Sequence, residues 1–145
     1  MASVEYSAVL ETNADAAWQV LKQFGDIAKW HPAIAQSKIE GDKPDSFEGA
    51  IRRLDLADGA VLRERLLTLN DRQMALAYAF EESPLPLDNY QAEVNVNEVI
   101  GTQQCVVKWK ATFDVREPET AAHFEGLIRE LIIGGHESLA AFLKQ

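Results

Sequence analysis

The stretch RRLDLADGAVLRERL, Arg52 to Leu66, decides the architecture. Two runs of β-like residues flank Asp58-Gly59, a dipeptide suited to a tight hairpin turn because glycine takes a positive φ without strain. A strand over about 49–56 is therefore expected to turn back into one over about 61–70. Strands joined by so short a connection must be antiparallel. With the turn centred on Asp58-Gly59, Arg52 lies opposite Glu64 and Leu54 opposite Leu62. One face of strand 61–70 carries Leu62, Glu64, Leu66 and Thr68, and the other Val61, Arg63, Arg65, Leu67 and Leu69. The first face is less charged, so it is the expected inward face, and it brings an arginine–carboxylate pair among leucines. Such a pair is costly to desolvate, which makes it a better sign of a polar anchor in an apolar pocket than of stability. A pair at the sheet edge, open to solvent, is the alternative.

Outward from this hairpin the same patterns recur. Strand-like runs at about 3–11, 34–40, 73–82, 89–99 and 103–114 are separated by turn residues such as Gly41-Asp42, Asn70-Asp71 and Gly101-Thr102. Asn13 is a good N-cap for a short helix through Ala16, Ala17, Trp18 and Leu21, which Gly25 stops. A further helical turn from Asp26 to Trp30 ends at His31-Pro32, since the residue before a proline is pushed out of the helical region. From Pro118 to Leu143 the period becomes helical, with Phe124, Leu127, Ile128, Leu131, Leu139 and Phe142 on one stripe. One strand, two short helices, six strands and one long helix make an α+β fold, a curved seven-stranded antiparallel sheet around the C-terminal helix. Gly134-Gly135 in mid-helix costs about 1 kcal/mol per glycine relative to alanine. Something approaching the backbone there would offset that cost; a local kink is the other reading.

Composition removes several function classes. The 145 residues are 47% hydrophobic, enough for the core of one domain spanning 1–145. The net charge of −9 repels phosphate backbones and anionic membrane surfaces, and no basic cluster offsets it, so nucleic acid is not an expected partner. No run of about 18 apolar residues and no basic, apolar leader appears, so no membrane insertion and a cytoplasmic location are expected. Cys105 is the only cysteine, which leaves no disulfide and no CxxC motif, and it reads as a small buried hydrophobe. His123 and His136 lack the spacing of one helical face and His31 lies in another element, so no metal site is expected. No phosphate-binding loop or nucleotide fingerprint indicates a cofactor.

GAIRRL (49–54), DGAVLRERL (58–66), YAFEESPLPLDNY (78–90), WHP (30–32) and GGHESL (134–139) together resemble the polyketide cyclase/dehydrase group of the SRPBCC superfamily. That superfamily also holds START lipid-transfer domains, the major birch pollen allergen and the plant abscisic acid receptors. The resemblance implies a helix-grip fold with an internal hydrophobic cavity. By similarity to the receptors, Ser83 to Leu87 borders the cavity mouth on one side and Leu54 to Gly59 on the other. Pro84 and Pro86 would stiffen that rim and hold Leu85 over the entrance. The receptors carry a pocket glutamate in an equivalent ERL motif, which supports an inward Glu64. Their pocket lysine corresponds to Ala35, and their gate sequence is replaced by LDLADG, so hormone sensing is not carried over.

Strand alternation adds the rest of the expected lining: Leu76, Tyr78 and Phe80; Tyr90, Ala92 and Val94; Val107, Trp109 and Ala111. Leu131 joins them from the helix, beside Arg52, Leu54, Leu62, Glu64, Leu66 and Leu85. The expected partner is a small hydrophobic molecule, a lipid, polyketide or aromatic compound, bound for transport or sequestration. Cyclase/dehydrase-like turnover is one alternative, and a protein-interaction module with a filled core is another. Candidate acid–base groups are Glu64, His31, His123 and His136, of which His31 reads as solvated or capping and the other two as lying on the less apolar side of the helix.

Overall fold

Hairpin-length connections dictate the sheet. The computed structural model describes residues 1–144 and contains β1 (Ala2–Leu10), α1 (Ala14–Leu21), a 3₁₀ segment (Phe24–Lys29), β2 (Ile34–Ile39), β3 (Ile51–Leu56), β4 (Val61–Asn70), β5 (Ala75–Glu82), β6 (Leu87–Glu98), β7 (Cys105–Val115) and α2 (Ala121–Leu143). The sheet has seven strands in the order β1-β7-β6-β5-β4-β3-β2, and every pairing is antiparallel. This is the helix-grip architecture expected from the sequence. Among the described residues no helix is long and apolar enough to cross a membrane.

Local chemistry explains the helix ends. Asn13 Oδ1 accepts a hydrogen bond of 2.8 Å from the Ala16 amide, capping α1. Trp18, buried to 1% exposure, donates through Nε1 to Asp71 at 2.9 Å and so ties α1 to the β4–β5 turn. Pro118 opens a 3₁₀ turn (Pro118–Thr120) that leads into α2.

The inner face of α2 differs from the expected stripe. Its buried residues are Ile128, Ile132, Gly135, His136 and Leu139, whereas Leu131 is 44% exposed and Phe124, Leu127 and Phe142 are half-buried. The helix packs closest to β1 and β7, which centres its contact arc on the 128–132–135–139 line, about one residue from the sequence stripe. His136 lies on that arc rather than on the less apolar side. Its Nδ1 is 2.9 Å from the Ile132 carbonyl and its Nε2 2.9 Å from the Val107 carbonyl, with Tyr6 and Trp109 against the ring. It bolts α2 to β7. His123 is exposed, as expected.

Bulges revise the strand faces. In β4 the register moves from Leu66↔Tyr78 to Thr68↔Ala77, which makes Leu67 an extra residue. Beyond it the alternation inverts: Leu69 opposes the buried Leu76 and packs on the core, while Thr68 is exposed. In β2 a shift between Ile34 and Gln36 turns Ala35 out to solvent. The β5–β6 ladder runs from Ala75↔Asn95 to Ala79↔Gln91, and past it the strands diverge. Phe80 then pairs with Glu64 in β4 and Leu87 with Val115 in β7, with Asn89 at φ 55° in the bulge of β6. The Phe80 and Tyr90 rings fill this fork, stacked 3.8 Å apart and within 7° of parallel.

Candidate functional site

Between the curled sheet and the first half of α2 lies a cavity of about 390 Å³. The β3–β4 hairpin supplies Arg52, Leu54, Leu62 and Glu64 to its wall, in the register Arg52↔Glu64 and Leu54↔Leu62. Tyr78, Phe80, Tyr90 and Trp109 complete the sheet side. Ser83, Pro84 and Leu85 border it from one loop and Ala57 and Asp58 from another, opposite Leu127 and Leu131 of α2. The stiff SPLP segment is thus a rim, as is the Asp58-Gly59 turn.

Six expected lining residues are elsewhere. Leu66 and Val107 are buried to 0% exposure but do not border the cavity. Leu66 precedes the β4 bulge, and Val107 lies under the His136 bolt, where helix and sheet touch and leave no space. Leu76, Ala92, Val94 and Ala111 are likewise solid core. Ala35, turned out by its bulge, is not on the wall either.

The polar centre of the wall is the Arg52–Glu64 pair, with side chains 5% and 6% exposed. Arg52 Nε donates to Glu64 Oε1 at 2.8 Å, Nη2 lies 2.7 Å from the same oxygen, and Nη1 donates to the Phe24 carbonyl at 3.0 Å. The guanidinium also sits 3.8 Å from the Phe24 ring centroid and 4.9 Å from that of Tyr78. The charge of this cation is thus met by protein, while the residue keeps a place on the cavity wall. Tyr78 in turn accepts a hydrogen bond of 3.1 Å from Trp109 Nε1. Burial, and then the Glu64 charge, push the Tyr78 phenol well above its ordinary pKa, and burial does the same for Tyr90, so both are neutral hydroxyls.

His31 is on the wall too, which its reading as a solvated or capping residue missed. Nδ1 accepts from the Ala33 amide at 3.3 Å, so the neutral ring carries its proton on Nε2. Burial, and secondly the Arg52 charge, hold its pKa below the ordinary value. Gly135 faces the ring: a Cβ there would lie 3.6 Å from His31 Nε2. The glycine pair in mid-helix therefore does have a close neighbour at one of its two positions. Ile27, Ile34 and Leu56 also line the cavity without having been singled out from sequence.

The outer face of the same hairpin is spent on itself. Arg63 forks onto Glu40 at 2.7 and 2.8 Å, and Arg65 onto Glu81 at 3.0 and 2.7 Å. Among the described residues no group of three or more His, Cys, Asp or Glu could hold a metal ion. Cys105 is buried, and burial pushes its thiol pKa up.

The family model described as polyketide cyclase / dehydrase and lipid transport matches residues 1–144. The chain belongs to this polyketide cyclase/dehydrase and lipid transport family. Solved structures similar to this family member include the protein XoxI from Bacillus cereus, 24% identical over 100% of this chain and 97% of that one, with a TM-score of 0.87. A START superfamily protein from Mycobacterium smegmatis is 14% identical, with 99% and 97% of the two chains covered and a TM-score of 0.82. Norcoclaurine synthase from Thalictrum flavum, in complex with dopamine and hydroxybenzaldehyde, is 19% identical, with 97% and 85% covered and a TM-score of 0.75. At these identities the likeness establishes the shared fold. A search of curated proteins returns no significant match. Membership in this family supports a ligand-binding role.

Proposed function

We propose that the protein binds a small, largely apolar molecule in the cavity beneath α2, with Arg52, Glu64 and Tyr90 as the polar contacts. The observation that carries this reading is a buried ion pair placed against a void instead of inside packed core. Removing two charges from water costs several kcal/mol per ion, which well-packed apolar side chains would avoid. A positioned polar group in an apolar hollow is the usual form of a ligand site, and about 390 Å³ lies in the range of such sites. The void weighs against a filled interaction module. Native mass spectrometry of freshly purified protein tests the reading through a retained small molecule. Thermal shift of delipidated protein against neutral and acidic aromatics and fatty acids extends it, because a ligand binding only the folded state at one hundred times its Kd adds about 2.7 kcal/mol. No shift and no retained mass would overturn the proposal.

A second reading, acid–base turnover of the bound molecule, rests on the neutral His31 sharing a wall with Glu64. Product formation from a bound compound that His31→Gln abolishes, with binding retained, would favour it.

A further inference from the structure

The hydrogen-bonding inventory of the cavity discriminates between classes of ligand. Arg52 has its charge already met inside the wall: Nε and Nη2 are on Glu64, Nη1 is on the Phe24 carbonyl, and the Phe24 and Tyr78 rings lie against the guanidinium, so a ligand anion would find only its remaining N–H groups. Both short approaches to the carboxylate end on Oε1. Glu64 Oε2 accepts no hydrogen bond from the described residues, although the side chain is only 6% exposed. Tyr90, at 8% exposure, is in the same position, with no hydrogen-bond partner for its hydroxyl. No buried side-chain oxygen that is sealed from solvent lacks a partner. Glu64 Oε2 and Tyr90 Oη must therefore keep accessible surface; Tyr90 also borders a polar hollow outside the sheet, and the surface common to the two residues is the cavity.

A bare carboxylate oxygen in an apolar hollow calls for a donor. It repels a second carboxylate, since two like charges in a low-dielectric site are costly to bring together. A cationic donor is also disfavoured, because Arg52 and Glu64 already cancel and an added positive charge would stay uncompensated. What remains is a neutral donor, and a hydroxyl is the one that can also accept from a neighbouring donor on the wall. His31 Nε2–H and the Tyr90 hydroxyl can donate in turn to the oxygen of that same hydroxyl or to an acceptor elsewhere on the molecule. The sheet side of the wall is aromatic through Tyr78, Phe80, Tyr90 and Trp109, and the volume is at the small end for ligand sites, which suits a flat molecule of about two rings better than an extended acyl chain.

Resting on the binding reading above, we infer that the cavity selects a neutral, hydroxyl-bearing aromatic molecule over a carboxylic acid, with Glu64 Oε2 accepting its hydroxyl proton and Tyr90 as the second polar contact.

Four matched probes test this on the full chain, stripped of any retained molecule, at pH 7: 2-naphthol, 2-methoxynaphthalene, naphthalene and 2-naphthoate. Titration calorimetry should find 2-naphthol at least about tenfold tighter than the methyl ether, the low end for a hydrogen bond to a charged group, with the carboxylate weakest. Tyr90→Phe, which keeps the ring that stacks on Phe80, should weaken 2-naphthol several-fold and leave naphthalene unchanged. In Glu64→Gln the preference for the naphthol over the carboxylate should collapse; if that variant does not fold, the wild-type ratios and Tyr90→Phe still decide. A carboxylate that binds as tightly as the naphthol, or an ether that matches it, overturns the inference while leaving the binding reading intact. If no probe binds, the molecule retained in native mass spectrometry decides: a neutral hydroxylated aromatic supports the inference and an acid overturns it. If neither probe nor retained molecule is found, both readings fall together.

Discussion

Alanine at each of the two mid-helix glycines separates helix energetics from cavity function. A Cβ built at Gly134 meets nothing within 4 Å, and one built at Gly135 meets only the His31 ring, at 3.6 and 3.7 Å, which is ordinary contact. Neither position needs a positive φ, so both accept a methyl without strain. Each replacement removes an interior-helix glycine and should stabilise the fold by about 1 kcal/mol, worth roughly 2–5 °C in Tm for a chain of this size. Residues at i and i+1 point in different directions, so the two gains should add to about 2 kcal/mol in the double variant. Binding should part the two: Gly134→Ala leaves 2-naphthol affinity unchanged, whereas Gly135→Ala puts its methyl beside His31 on the cavity wall and weakens it. Urea unfolding with an unchanged m-value gives the stability arm and calorimetry the binding arm. A destabilised Gly134→Ala would refute the account of α2 as a continuous helix that is open on that side, and wild-type affinity in Gly135→Ala would refute the placement of the ligand against it.

Arg52→Ala leaves Glu64 buried without its cation, so the expected loss is about 3–5 kcal/mol. Arg52→Met with Glu64→Leu should recover most of it; chemical denaturation of both variants gives the answer, and a loss below about 1 kcal/mol for the single change would mean that water solvates the pair. His31 predicts a pH dependence of definite sign. Its folded pKa is depressed below the unfolded value of about 6.5, so its contribution is complete above that pH and is lost as pH falls through the folded value. Stability of the wild type should therefore drop relative to His31→Gln on moving from pH 7 toward 5, and parallel curves would sink the assignment. The carboxylates of Glu40, Glu81 and Asp71, held down first by hydrogen bonds from Arg63, Arg65 and Lys22, contribute their own decline only at lower pH, below about 4.5.

What could be read in advance was what local chemistry dictates. Asp58-Gly59 sets a hairpin register, and from the register alone Arg52 meets Glu64 and Leu54 meets Leu62. The two prolines of SPLP exclude a central strand and so place a loop, with β6 starting directly after Pro86. Bulges at Ala35 and Leu67 were invisible, because one extra residue inverts every later face and neither carries a glycine to mark it. The phase of α2 was off by about one residue, since which line faces inward depends on how the helix leans on β1 and β7. His136 was hidden by its own polarity: an imidazole on an apolar arc is buried when the fold brings a polar partner to the ring, and here the Ile132 and Val107 carbonyls come from elements whose packing the sequence pattern does not fix. His31 required knowing that Gly135, a hundred residues away in the chain, would leave room beside it.

The fork between β5 and β6 makes one seam of the wall unlike the rest. Elsewhere, parting two strands means breaking a run of backbone hydrogen bonds, each worth about 1 kcal/mol net. At the fork the ladder has already ended at Ala79 and Gln91, and a polar hollow of about 420 Å³ lies outside it, bordered by Glu81, Asp88 and Arg116 and sharing Phe80, Ser83, Leu85 and Tyr90 with the inner cavity. The stacked Phe80 and Tyr90 rings, with Ser83 and Leu85, border both inside and outside there. Swinging those rings apart forfeits an aromatic contact of about 0.5–1.5 kcal/mol and no backbone pairing. Bulges elsewhere interrupt a ladder that then resumes, whereas beyond Ala79 and Gln91 the β5–β6 pairing does not, and the integrity of this seam depends on side chains.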